Sequence, residues 1–142
     1  MRIVLDTNIL IAALITKGTP PDQLYQTWLE GTFELVTSTA QLVELAAVLA
    51  RPRLQRYIDA DEAAALVENI DTRAIVLGAP PAVSLSPDPD DNLILAAAIA
   101  GKADLIVSGD KKHMLALGTA AGIPIVTARD ALDRLNEALP PP

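Results

Sequence analysis

The chain has 142 residues, 51% of them hydrophobic, which suits one domain with a single sizeable core. Its formal net charge of -7 and its aromatic content of 3% argue against a protein that coats nucleic acid with a basic surface or stacks bases on aromatic rings. The absence of Cys excludes a disulfide framework and a thiolate metal site, and it fits a reducing cytoplasm. No apolar run approaches the roughly 20 residues that span a bilayer. Asp6 and Asn8 interrupt the stretch where a signal peptide would need continuous apolar sequence. The expectation is a soluble, cytoplasmic protein with no membrane partner.

Strand and helix patterns alternate along the chain. Residues 3–5 read as a strand, and 7–15 as an apolar helix packed on the sheet. After a loop at 17–21, Asp22 is expected to cap a helix to about residue 30, with Leu24, Tyr25, Trp28 and Leu29 at helical spacing. Residues 33–36 form a strand, and Thr37 or Ser38 caps a helix to about residue 50. Arg51-Pro52-Arg53 breaks that helix. A short helix at 54–57 and a longer one at 61–71 lead to a strand at 74–77. The proline-rich stretch 78–89 is loop, with an extended piece at 82–85. A helix at 92–101, a strand at 105–107, a short helix at 112–117 and a strand at 123–126 follow. Thr127 with Asp130 three residues on resembles a capping box, opening a final helix to residue 139. One domain is expected over 1–139, with 140–142 as a disordered tail. The alternation predicts an α/β protein, a mostly parallel sheet with helices on both faces. In such sheets the ligand crevice lies outside the carboxyl ends of the strands.

Several carboxylates fall where such a crevice would be. The strand Ile3-Val4-Leu5 ends abruptly on Asp6, and Leu105-Ile106-Val107-Ser108-Gly109 leads to Asp110. Asp6 alone is equally well read as a helix cap. Asn8 is a polar amide among Leu5, Ile9 and Leu10 that needs a partner if buried. Glu44 lies opposite the stripe of Leu42, Leu45, Ala46 and Leu49, yet Ala47 and Val48 flank it, so that face could line a cleft. Asp88, Asp90 and Asp91 precede a helix that is apolar all round and is therefore expected to be central and buried. One of the three suffices as its cap. Asp104 stands at the opposite end of its strand and is left out of the site. His113, the only histidine, reads as a surface residue of the short helix. Arg51, Arg53 and Arg56, with Lys111 and Lys112, are candidates to hold phosphates. Carboxylates gathered from distant segments repel one another unless a cation neutralises them. Oxygen donors without Cys point to a hard ion, Mg²⁺ or Mn²⁺.

These residues resemble the PIN domain: Leu5-Asp6-Thr7-Asn8, the helical Glu44, Asp88-Pro-Asp-Asp91-Asn92 before an Ala-rich helix, and Val107-Ser108-Gly109-Asp110. The likeness is greatest to the VapC-like toxin ribonucleases of type II toxin–antitoxin modules, and it runs from Arg2 to about Leu135. It implies a three-layer α/β/α sandwich and a Mg²⁺- or Mn²⁺-dependent endoribonuclease. It also implies a homodimer and an antitoxin protein that blocks the site. By position, Asp6, Glu44, Asp91 and Asp110 would be the catalytic, metal-holding acids, with Asp90 as the alternative to Asp91. Asn8 would orient Asp6, and Ser108 stands where the family often has Thr. Two rivals remain. One is a phosphatase or dehalogenase with Asp6 as nucleophile, though the second acid of the phosphatase pattern is here Asn8. The other is a catalytically idle PIN-like module that binds RNA or protein.

Overall fold

The computed structural model describes residues 1–138. In it β1 (Arg2–Leu5) leads into α1 (Thr7–Ile15) and α2 (Pro20–Leu29). β2 (Glu34–Ser38) leads into α3 (Thr39–Leu49), α4 (Pro52–Gln55) and α5 (Ala60–Arg73). β3 (Ile75–Leu77) precedes α6 (Pro89–Ala100), and β4 (Leu105–Val107) precedes α7 (Met114–Leu117). β5 (Thr119–Ala120), β6 (Ile123–Val126) and α8 (Ala128–Ala138) complete the described chain. The expected end of the last helix at residue 139 and the expected tail at 140–142 lie outside the described residues.

The six strands form one sheet in the order β3-β2-β1-β4-β6-β5. All pairings are parallel except β5 with β6. From β1 the chain steps to β2 and β3 on one side, then crosses back to β4 and β6 on the other. The strand order therefore reverses between β1 and β4, and their carboxyl ends flank the crevice that such a reversal opens. The register pairs Ile3 with Leu105 and Leu5 with Val107, so the residues after these strands emerge side by side.

Period-two alternation sorts the strand residues between two cores, although both faces are buried. Ile3, Leu5, Leu35, Leu105, Val107 and Val126 face a layer containing α1, α2, α5 and α8. Val4, Val36, Ile106 and Ile125 face α6 and the buried Met114. The result is a three-layer α/β/α sandwich. No helix among the described residues is long and apolar enough to cross a membrane.

Several sequence expectations shift for identifiable reasons. α2 begins at Pro20 rather than Asp22, because prolines fit the first turn of a helix, whose N–H groups have no partner anyway. Asp22 instead accepts from the Gly18 N–H at 2.8 Å. α6 likewise begins at Pro89. It is not enclosed all round: one face packs on the sheet, while Leu93 and Ala100 are exposed. Residues 82–85 pair with no strand. β5 was hidden by its length of two residues and by its turn. Ala121 and Gly122 both have positive φ, as a two-residue hairpin requires, but Ala stands where Asn or Asp usually signals that turn.

α6 ends at Gly101, where a close approach explains the glycine. A Cβ there would stand 2.5 Å from Val36 Cγ1 and 2.9 Å from the Ala97 carbonyl oxygen. Gly101→Ala is expected to cost about 1–3 kcal/mol through forced displacement of α6 from β2. Urea denaturation reads this directly, and an unchanged midpoint would mean that the contact relaxes freely.

Candidate active site

Ile3, Val4 and Leu5 of β1 are buried, and Asp6 follows at the strand's carboxyl end, only 7% exposed. Asp6 holds the N-cap position of α1, yet its side chain makes no capping hydrogen bond. Its Oδ2 accepts instead from the Ser108 hydroxyl, at 2.9 Å. Ser108 reaches it because β1 and β4 are adjacent and in register. Burial raises the Asp6 pKa above its ordinary value. The Ser108 hydrogen bond opposes this, the Asp91 charge reinforces it, and the Asn8 and Thr7 backbone N–H groups lower it. The Asn8 side chain is exposed, so within the chain Asn8 acts on Asp6 through its backbone.

Glu44 comes from α3, half-buried rather than solvated. The buried Thr7 hydroxyl donates to its Oε2 at 3.1 Å, tying α3 to the start of α1. Burial raises its pKa, the Thr7 bond opposes, and the charges of Asp90, Asp6 and Asp88 raise it further.

The three acids before α6 separate by environment. Asp88 caps the helix by accepting from the Asp90 N–H at 2.9 Å. Asp90 is exposed, whereas Asp91 is 7% exposed and accepts from the Ser86 hydroxyl at 2.9 Å. Asn92 holds Ser86 there, since its amide accepts from the Leu85 and Ser86 N–H groups and donates to the Ser86 carbonyl. Asp91 is raised mainly by burial, against the Ser86 bond, with the charges of Asp88 and Asp110 adding and His113 subtracting.

Asp110 lies one turn beyond β4, less buried than Asp6 or Asp91. Its slight burial acts upward, but the backbone N–H groups of His113, Lys112 and Met114 outweigh that and hold its pKa below the ordinary value. The Lys112 and His113 N–H groups donate to Oδ1 at 3.1 and 3.3 Å. His113 Nδ1 stands 3.5 Å from Asp110 Oδ2.

Asp6, Glu44, Asp91 and Asp110 thus come from four separate segments and act on one another electrostatically. Among the described residues none of them pairs with Lys or Arg. Lys111 and Lys112 are exposed next to Asp110, while Arg51, Arg53 and Arg56 are exposed on and around α4 and form no ion pair with the acids. Carboxylates that are buried or partly buried, mutually repelling and free of Lys and Arg partners form a donor set that suits a hard divalent cation. The donor atoms of Asp91, Asp110 and His113 lie within 4.8 Å of one another. An apolar groove of about 980 Å³ lies elsewhere, lined by residues of α3 and α5 such as Leu42, Ala46 and Val67.

Sequence reasoning missed Thr7, Ser86, Gln41 and the proximity of His113 to the acids. Gln41 is 1% exposed. Its Nε2 donates to the Leu5 carbonyl at 2.7 Å, and its Oε1 accepts from the Thr37 hydroxyl at 2.6 Å. It braces the residue before Asp6 against the helix that carries Glu44. Gln41→Leu would strand both partners and is expected to cost about 1–3 kcal/mol, measured by chemical denaturation. A stability equal to wild type would show that the brace is dispensable.

Electrostatics predict how the metal-free protein responds to pH. Asp6, Glu44 and Asp91 favour protonation in the folded chain, above ordinary values of 3.8 for Asp and 4.5 for Glu. Between the ordinary and raised values the folded state binds more protons than the unfolded state, so their contribution to stability falls as pH rises. Asp110 contributes with the opposite sign, at and below 3.8. In chelator, the urea midpoint is expected to decline from about pH 4 towards neutrality. Asp6→Asn, which keeps an acceptor for Ser108, should raise the neutral-pH stability by on the order of 1 kcal/mol. A midpoint that climbs to neutrality, or an Asn variant weaker than wild type, would contradict this account.

Comparisons with known proteins agree with this architecture. The chain is 25% identical over 112 residues to an uncharacterized protein of Methanocaldococcus jannaschii, covering 78% of this chain and 72% of that protein. A chain in the crystal structure of VapBC2 from Rickettsia felis bound to a DNA fragment from their promoter superposes with a TM-score of 0.57 at 16% identity. That match covers 89% of this chain and 98% of the other and establishes likeness of fold. The sequence profile of the PIN domain matches residues 2–112, most of the chain, and the protein belongs to the PIN domain family.

Proposed function

We propose that this protein is a divalent-cation-dependent endoribonuclease, the toxin component of a VapC-like toxin–antitoxin pair. The observation that carries the reading is the convergence of Asp6, Glu44, Asp91 and Asp110 at the reversal point of the sheet, without a Lys or Arg partner among the described residues. Membership of a family whose members are generally nucleases supports it, as does the fold shared with VapBC2. The antitoxin partner rests on that likeness. The apolar groove on α3 and α5 is the kind of surface that a protein partner, or a second copy in a homodimer, would cover.

In this reading Asp6 and Asp91 hold Mg²⁺ or Mn²⁺ directly, and Glu44 and Asp110 complete the site directly or through water. A cation held there supplies an acidified water and offsets the charge of the attacked phosphodiester. The hydroxyls of Ser108, Thr7 and Ser86 orient three of the carboxylates without cancelling their charge. Asn8, exposed beside Asp6, and Asp90, exposed beside Asp91, are left as supporting positions at the edge of the site. Lys111 and Lys112 are placed to meet backbone phosphates. Attack by water rather than by the ribose 2′-hydroxyl leaves 5′-phosphate and 3′-hydroxyl ends.

The test is incubation of antitoxin-free protein with total cellular RNA and Mn²⁺, beside Asp6→Asn and a chelator control. Discrete fragments with 5′-phosphates are expected from the wild type alone. Asp6→Asn should reduce the rate at least about 100-fold. Cyclic-phosphate ends would eliminate the mechanism, and RNA binding without metal-dependent cleavage would favour a non-catalytic binding module.

A further inference from the structure

We propose that His113 is a cation ligand, supplying an imidazole nitrogen to the site beside Asp91 and Asp110. The proposal rests on the divalent-cation reading above and specifies the donor set on one side of that site.

Three observations carry it. First, one donor atom from each of Asp91, Asp110 and His113 lies within 4.8 Å of the other two. Donors to one small hard cation, each at about 2.1 Å, stand roughly 3 to 4 Å apart. The 3.5 Å between His113 Nδ1 and Asp110 Oδ2 is already in that range, so modest side-chain rotation closes the rest. Second, His113 is anchored where it stands. Its backbone N–H donates to Asp110 Oδ1, and Met114, which follows it, is completely buried. Third, the group joins segments that are distant in sequence. An exposed His–Asp pair within one turn contributes little by itself and is common. Asp91, however, arrives from the start of α6, is 93% buried as the complement of its 7% exposure, and has its Oδ2 held by Ser86. The imidazole is thus the one nitrogen donor among the carboxylates of this site. Nitrogen in the donor set moves preference away from Mg²⁺ and towards Mn²⁺, which accepts imidazole more readily.

The chain contains a single histidine, so untagged wild-type protein carries its own control. Pulsed EPR of the protein loaded with one equivalent of Mn²⁺ should show the modulation of a directly bonded imidazole nitrogen. His113→Gln should abolish that modulation and weaken Mn²⁺ binding on the order of tenfold. It should also narrow the preference for Mn²⁺ over Mg²⁺ in competition titrations. Mn²⁺ bound at one per chain with no imidazole modulation in the wild type overturns the proposal and leaves the carboxylate site standing. Failure of the wild type to bind Mn²⁺ overturns both the proposal and the cation reading beneath it. The wild-type spectrum decides the point even if the variant does not fold.

Discussion

The parallel pairing of β1 with β4 is the constraint on which the rest of the site depends. It places Asp6 beside Ser108 and, a short turn later, Asp110. Because the sheet order reverses at this seam, the carboxyl ends of the two strands open into a crevice. α6 then brings Asp91 to the seam from one layer, and α3 brings Glu44 from the other side. The acids are therefore assembled by topology. Each sits near an element end or on a helix packed on the sheet, and that packing is what resists their repulsion.

How the carboxylates are held matters as much as where they are. Asp6, Glu44 and Asp91 each accept one hydrogen bond from a neutral hydroxyl, those of Ser108, Thr7 and Ser86. A hydroxyl fixes the direction of a carboxylate but leaves its charge in place. An Arg or Lys partner would have given a stronger bond and cancelled the charge that a cation needs. Asp110 is fixed by backbone N–H groups to the same effect. The cost is visible in the upward pKa shifts of the three more buried acids, which make the metal-free fold less stable than its apolar core would allow. Gln41 reinforces the arrangement from below, since it ties the Leu5 carbonyl to the strand–helix junction that orients α3.

Much of the fold was legible because it is written in local pattern. Apolar runs bounded by turn residues located β1, β2, β3, β4 and β6, and the alternation with helices implied a parallel sheet. Asp6 and Asp110 were legible as site candidates because each closes an apolar strand pattern, although β4 itself ends at Val107 and Asp110 lies one turn beyond it. The remainder depends on contacts that local pattern does not encode. Ser86 sits in a proline-rich loop and meets Asp91 only because Asn92 staples that loop to α6. Gln41 carries no chemical signature in the sequence, and only the neighbouring strand gives its amide a buried role. His113 was read as plain surface. It is indeed exposed, but the turn that places Asp110 also brings the imidazole to Asp91, a relation across distant sequence.

The acidic balance of the chain is compatible with a polyanionic substrate on the same physical grounds. A net charge of -7 would repel RNA if it were spread over the binding face. Here several of the acids are gathered in one crevice, where a bound cation would convert local repulsion into attraction for a phosphodiester. Lys111 and Lys112 are exposed next to Asp110 in the chain and form no ion pair with the acids. Affinity built this way is local and conditional on the cation. It needs neither the broad basic surface nor the aromatic platform that the composition of this chain cannot supply.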